Sequence, residues 1–206
     1  MTLNYKSPIP LTTGGTLVLR EIPDNPDALI TEALERSIPP HQGEFRHPRR
    51  VSEYYTTALM KRDLGIEQVI SYHESGKPYL QDGPHISISH GKSLAGFVKS
   101  ERPIGLDIQF PEEKLRTIST RFGHPEELEY ARTLSEPLPY FTFLWSAKEA
   151  LFKIYGEGLT FSTQIRVDLP PQENALTGAQ VYHRGAWIEH QLEQYWLDGH
   201  IVVIAC

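Results

Sequence analysis

The sequence predicts an α+β fold in which one chain of 206 residues builds two similar lobes, each an antiparallel sheet packed with helices. Two patterns predict it. Each half runs strand, helices, strand and terminal hairpin, and each hairpin carries its own turn signal, Gly91-Lys92-Ser93 in the first half and Asp198-Gly199 in the second. Composition agrees, because 39% hydrophobic and 22% charged residues are ordinary for a globular protein. The halves share no evident identity, so the duplication is one of layout. Arg102-Pro103 is the expected boundary, giving an N-terminal lobe over 1–102 and a C-terminal lobe over 103–206.

In the first half, Thr16 to Ile22 alternates aliphatic and polar residues and reads as a strand ended by Pro23. A helix is expected from about Pro26 to Ser37, stopped by Pro39 and Pro40. The basic cluster Arg46, His47, Arg49 and Arg50 leads into a second helix, from about Arg49 to Leu64 with Gly65 as its cap. Gln68 to Tyr72 reads as a short strand and Gly76 to Leu80 as a loop. His85 to His90 and Leu94 to Ser100 form the hairpin.

In the second half, Ile104 to Phe110 reads as a mostly buried strand cut off by Pro111. Helices are expected at about Glu112 to Arg121, Pro125 to Leu134 and Pro139 to Tyr155, the last ended by Gly156 and Gly158. Three strands close the chain, Gln180 to His183, Trp187 to Leu197 and His200 to Ala205.

Several classes are excluded early. The one cysteine, Cys206, rules out a disulfide framework and a Cys-rich zinc site, and fits a cytoplasmic location. The residues from Met1 to Lys6 lack a signal-like apolar stretch. The longest apolar run, Ile201 to Cys206, is far short of the ~20 residues that a membrane span needs. A net charge of −6 argues against a general nucleic-acid or anionic-membrane binder, so any anionic substrate must be met locally. Gly91-Lys92-Ser93 ends like a phosphate-binding loop, but Ile86 stands where that motif needs its first glycine. Ser89 before Gly91 resembles a nucleophile elbow, but it leads into a strand rather than a helix.

Four segments hold chemistry-bearing side chains. In the third helix of the second half, Trp145, Glu149 and Lys153 stack on one face at four-residue spacing, while Leu144, Leu151 and Phe152 point inward. An exposed Glu-Lys pair of this kind is usually a weak surface ion pair, but Trp145 beside it suggests a partly buried face. In the strand Ile104 to Phe110, alternation puts Gly105, Asp107 and Gln109 opposite Ile104, Leu106 and Ile108. Asp107 therefore needs a counter-charge, from Lys148, from Lys153, or from a divalent cation shared with Glu149. Ser87 and Ser89 alternate with Ile86 and Ile88, with His90 at the strand end, and Lys77 lies in the Gly76-Lys77-Pro78-Tyr79-Leu80 segment.

The ordered set Gly76-Lys77-Pro78-Tyr79-Leu80, Ile86-Ser87-Ile88-Ser89-His90, Gly105-Leu106-Asp107-Ile108 and Trp145-Ser146-Ala147-Lys148-Glu149-Ala150 with Lys153 resembles the 4′-phosphopantetheinyl transferase superfamily, in its two-lobed surfactin-type branch. The resemblance runs from about Gly76 to Gly158. It implies a pseudo-duplicated two-lobe fold and an enzyme that moves the 4′-phosphopantetheine arm of coenzyme A to a serine of an acyl or peptidyl carrier protein, releasing 3′,5′-ADP with Mg²⁺. It implies catalytic roles for Glu149, Lys153 and Asp107, with Glu149 as metal ligand or general base. Asp107, Glu149, Gln109 and Glu127 are the implied metal residues. Lys77, Ser89, His90, Lys153 and Arg50 are the implied coenzyme A contacts.

The sequence departs from that pattern in two places. Gln109 stands where the family has a second acid, offering a carbonyl oxygen in its place. Thr56-Thr57-Ala58 stands near where many members carry a coenzyme A-binding arginine, so Arg46, Arg49 or Arg50 is the expected substitute. The basic and apolar residues Lys114, Leu115, Arg116, Ile118, Arg121 and Phe122 form either a carrier-docking patch or an amphipathic core helix. A chain supplying both sides of its own cleft is expected to work as a monomer. The competing function is a non-catalytic coenzyme A or nucleotide binder in which Gln109 marks a decayed metal site.

Overall fold

Two antiparallel sheets meet edge to edge in the structure, a computed structural model that describes residues 7–43, 45, 47–156, 158–171 and 176–206. The first sheet has the strand order β1-β2-β6-β5, from β1 (Ile9–Leu11), β2 (Gly15–Glu21), β5 (His85–His90) and β6 (Leu94–Ser100). Helices α1 (Asp27–Glu35) and α2 (Pro48–Asp63) intervene, followed by a separate hairpin of β3 (Ile70–Tyr72) and β4 (Pro78–Leu80). The second sheet has the order β7-β11-β10-β9-β8, from β7 (Gly105–Gln109), β8 (Ile165–Val167), β9 (Thr177–His183), β10 (Ala186–Leu197) and β11 (His200–Ala205). Its helices are α3 (Glu113–Thr117), α4 (Ser119–Phe122), α5 (Pro125–Arg132), α6 (Pro137–Tyr155) and α7 (Phe161–Gln164).

The local signals act as their chemistry requires. Pro48 opens α2 and Pro137 opens α6, two residues before the expected Pro139, because a first-turn residue needs no amide hydrogen. Gly156 ends α6 in the left-handed region at φ 90°, and Asp198-Gly199 turns β10 into β11 with both residues at positive φ. Four expectations need correction. The stretch expected as one helix over Glu112 to Arg121 is two short helices broken at Ile118. Gly76 to Leu80 is not all loop, since Pro78–Leu80 pairs with Ile70–Tyr72. The three-residue strands β1 and β8 carry too little alternation to be read from sequence, and β9 begins three residues earlier than expected.

The seam between the sheets positions the site. β5 and β7 lie side by side without a backbone ladder. Instead the Ser87 hydroxyl accepts from the Leu106 amide at 3.0 Å and the Ser89 hydroxyl from the Ile108 amide at 3.1 Å. Two serine side chains thus satisfy the free amides of β7, which would otherwise be orphaned donors at a buried edge. Behind the seam a single apolar cluster joins Leu17, Leu19, Leu94 and Val98 of the first sheet to Leu106, Ile108, Val202 and Ile204 of the second. On the opposite face of β7 lies α6, so close that a Cβ on Gly105 would overlap the Ala150 carbonyl. Only glycine permits that approach.

Candidate active site

Asp107 is held on the α6 face of β7, 7% exposed, as the alternation around Leu106 and Ile108 requires. Lys153, one helical turn after Glu149 on α6, is its counter-charge at 2.9 Å. The Lys153 ammonium also donates to the Leu106 carbonyl at 2.7 Å and to Ser89 Oγ at 3.1 Å. Ser89 in turn donates to Asp107 Oδ1 at 3.1 Å. The serine hydroxyl therefore uses its one proton and both lone pairs within the cluster.

The second oxygen of Asp107 is different. Oδ2 is buried and without a hydrogen-bond partner. Burying a carboxylate oxygen unpaired is costly, which marks the atom as a place for a ligand. Glu149 comes in from α6, where burial, followed by repulsion from Asp107, raises its pKa above the ordinary carboxylate range while Lys153 opposes the shift. Two carboxylates from separate elements and one unsatisfied oxygen form a donor set that fits Mg²⁺, which binds few protein carboxylates and keeps waters and phosphate oxygens. Among the described residues no group of three or more His, Cys, Asp or Glu side chains is placed to hold a metal ion.

Gln109 follows Asp107 on the same strand face, half-buried, its amide nitrogen donating to the Phe110 carbonyl at 3.1 Å. Glu127 is not brought to this cluster. Its buried carboxylate pairs with Lys148 at 2.6 Å and accepts from the amides of His124 at 2.7 Å and Val167 at 2.9 Å. These three partners tie Glu127 to α5, α6 and β8, away from Asp107. Lys148, the other counter-charge considered for Asp107, lies in this second pair and also donates to the carbonyls of Phe161 and Ile165. Burial lowers its pKa and Glu127 opposes the shift.

The first lobe contributes cations. Lys77 and Lys153 both line a cavity of about 180 Å³ between β5 and the end of α6. The Lys77 ammonium donates to the Ile154 carbonyl, and burial lowers its pKa. Arg50 is exposed and bonded to Glu53 at 2.8 Å, while Arg49 bonds Glu53 and the carbonyls of Gly91 and Lys92. Arg46 lies outside the described residues. His90, at the exposed end of β5, contacts Thr57 of α2 at 2.8 Å. Sequence reasoning marked Thr57 only as a departure from the family arginine and passed over Glu53; the four-residue spacing of Arg49, Glu53 and Thr57 was the available signal. The apolar half of the suspected docking patch is core, since Leu115 and Phe122 are buried, and only Lys114, Arg116 and Arg121 face solvent.

Comparison with known proteins converges on one family. The model of the 4′-phosphopantetheinyl transferase superfamily matches residues 103–205, from just before β7 through β11. Similar curated proteins include the 4′-phosphopantetheinyl transferase HetI of Nostoc sp., 30% identical over 172 residues, 75% of this chain and 71% of that protein. A Bacillus subtilis 4′-phosphopantetheinyl transferase is 34% identical, with 68% of each chain covered. The Bacillus subtilis (strain 168) transferase Sfp is also 34% identical, with 61% of each covered. Half the chain thus meets the family's own model while HetI aligns across most of both proteins, and the chain belongs to the 4′-phosphopantetheinyl transferase superfamily.

Proposed function

We propose that this enzyme transfers 4′-phosphopantetheine from coenzyme A to a serine hydroxyl of an acyl or peptidyl carrier protein, releasing 3′,5′-ADP. One observation supports the reading above others. Asp107 pairs with Lys153 at the seam of the sheets, near enough to Glu149 to repel its charge, with a buried Asp107 oxygen left unsatisfied. Asp107 and Glu149 would hold Mg²⁺, with Gln109 near enough in sequence and face to add a carbonyl oxygen. Held there, Mg²⁺ would supply Lewis-acid stabilisation for the charge of the departing group.

The protein's own residues have separable roles. Lys153 fixes Asp107 and, with Lys77, provides positive charge at the wall of the small cavity, where phosphate oxygens would sit. Glu149 also takes the proton of the attacking serine. Ser89, His90 and Arg50 serve coenzyme A from the first lobe, Ser89 by holding the Asp107-Lys153 pair and the other two as phosphate donors. Carrier docking uses the exposed Lys114, Arg116 and Arg121, which suit an acidic partner helix on an otherwise acidic protein. No described helix is long and apolar enough to cross a membrane. We place the enzyme in the cytoplasm, active as a monomer, with its lobes divided between residues 102 and 103.

Incubation with coenzyme A, Mg²⁺ and an apo carrier protein, followed by intact mass of the carrier, tests the reading. The expected result is a gain of one phosphopantetheine on the carrier serine. Coenzyme A cleavage without that gain would point to a hydrolase, and neither change to a coenzyme A binder.

A further inference from the structure

Arg49, Glu53 and Thr57 lie along one face of α2 at four-residue spacing, and that face is turned to the end of β5. The Arg49 guanidinium donates to the Gly91 carbonyl at 2.6 Å and the Lys92 carbonyl at 2.8 Å, and its Nε donates to Glu53 at 2.9 Å. This clamp fixes the backbone just after His90. Thr57 then meets the ring itself, its Oγ1 lying 2.8 Å from His90 Nε2. His90 borders a groove of about 790 Å³ whose lining also includes Arg50, Lys61 and Arg62.

We infer that Thr57 is a positioning residue that selects the tautomer of His90: the threonine hydroxyl donates to Nε2, placing the ring proton on Nδ1 and offering that N–H to a phosphate oxygen of coenzyme A. Both the anion and the direction of this hydrogen bond rest on the transferase reading, because the hydroxyl can donate or accept and Nδ1 needs its N–H only to meet a phosphate oxygen. A neutral imidazole has one N–H and one lone pair, and the partner of one nitrogen decides the state of the other. Burial favours the neutral form of the His90 ring. Partial desolvation in the groove lowers its pKa below the ordinary 6.5. Glu53 of α2 opposes that shift, and Lys153 of α6 with Arg50 and Arg49 of α2 reinforces it. The family arginine expected in this part of α2 would add a charge; threonine instead directs the proton of a group already present.

The test is long-range ¹⁵N–¹H NMR of the His90 ring in the full-length, substrate-free protein at pH 7.5, for wild type, Thr57→Val and Thr57→Ser, with steady-state kinetics on the same samples. Wild type and Thr57→Ser should carry the proton on Nδ1, and Thr57→Val should shift toward Nε2–H. The KM for coenzyme A should rise about tenfold in Thr57→Val, the size expected when a hydrogen bond to a charged group is misaligned, and return in Thr57→Ser. The kcat should stay within about twofold, as for an interaction made equally in ground and transition states. Wild-type His90 protonated on Nε2 overturns the assignment, and that spectrum decides the question even if a variant does not fold. A folded Thr57→Val with wild-type tautomer and wild-type KM overturns it equally. If wild type carries Nδ1–H but does not bind coenzyme A, the tautomer assignment is supported and the transferase reading fails.

Discussion

Gln109 and Glu149 carry opposite lessons about charge at a single residue. Gln109 removes one negative charge from the proposed metal site, so Gln109→Glu should lower the Mg²⁺ concentration for half-maximal activity several-fold. An unchanged Mg²⁺ titration would show that position 109 does not reach the ion. Glu149 is kept ionisable in a place that disfavours its charge. Because its folded pKa lies above the ordinary 4.5, its contribution to stability is greatest below that value and is lost as pH rises through the raised one. Glu149→Gln should therefore melt higher than wild type at pH 7 in EDTA, with the gap closing toward pH 4. In excess Mg²⁺ the order should reverse, because only wild type keeps the second carboxylate. A Gln variant that melts lower in EDTA would show that Glu149 is not held against repulsion. Retaining a destabilised group is expected where function requires it.

Among the elements, α6 has two chemically distinct sides. One turns Glu149 and Lys153 to β7; the other sends Lys148 into an ion pair with Glu127 that is 0% and 2% exposed. Removing one partner of such a pair strands a buried charge, so Glu127→Ala should cost about 3–5 kcal/mol in urea unfolding. Replacing both, as Glu127→Gln with Lys148→Met, should cost much less. At a temperature where Glu127→Ala remains folded, its Mg²⁺ dependence should match wild type; a weakened one would return Glu127 to the metal site. The segment α3–α4 is also two-sided, with Leu115 and Phe122 in the core and its cations outside. Lys114→Glu with Arg116→Glu should raise the carrier KM about tenfold or more and leave the coenzyme A KM alone, since rim charges steer association. Equal effects on both constants would remove this surface from docking.

In the whole molecule, the lobes are divided by strand membership and united by packing. Each sheet uses strands from one half only, yet the apolar cluster behind the seam draws on both. A shared core should make unfolding a single transition. Ser87→Ala leaves the Leu106 amide buried without its acceptor and should cost about 1–3 kcal/mol while the transition stays single. Two separated transitions in circular dichroism would show that the lobes fold independently.

Much of this was legible in the sequence because its signals are local. Alternation put Asp107 on the face away from Leu106 and Ile108, four-residue spacing put Glu149 and Lys153 together, and Asp198-Gly199 announced the final hairpin. What spacing could not supply was the choice between partners. Lys148 and Lys153 were both candidates for Asp107, and Glu127 stood with Glu149 among the implied metal acids, since charge and residue type are the same in each pair. The decision came from the direction in which α6 lies across β7, an approach that Gly105 allows and that places Lys153 over Asp107 and Lys148 beside Glu127. The sequence by itself determined the elements, the apolar faces and the inventory of charges, because these follow from side-chain periodicity along one element. Only the tertiary structure decided which charges meet, which carboxylate oxygen is left unpaired and which hydroxyl holds His90, because those depend on the crossing of elements far apart in the chain.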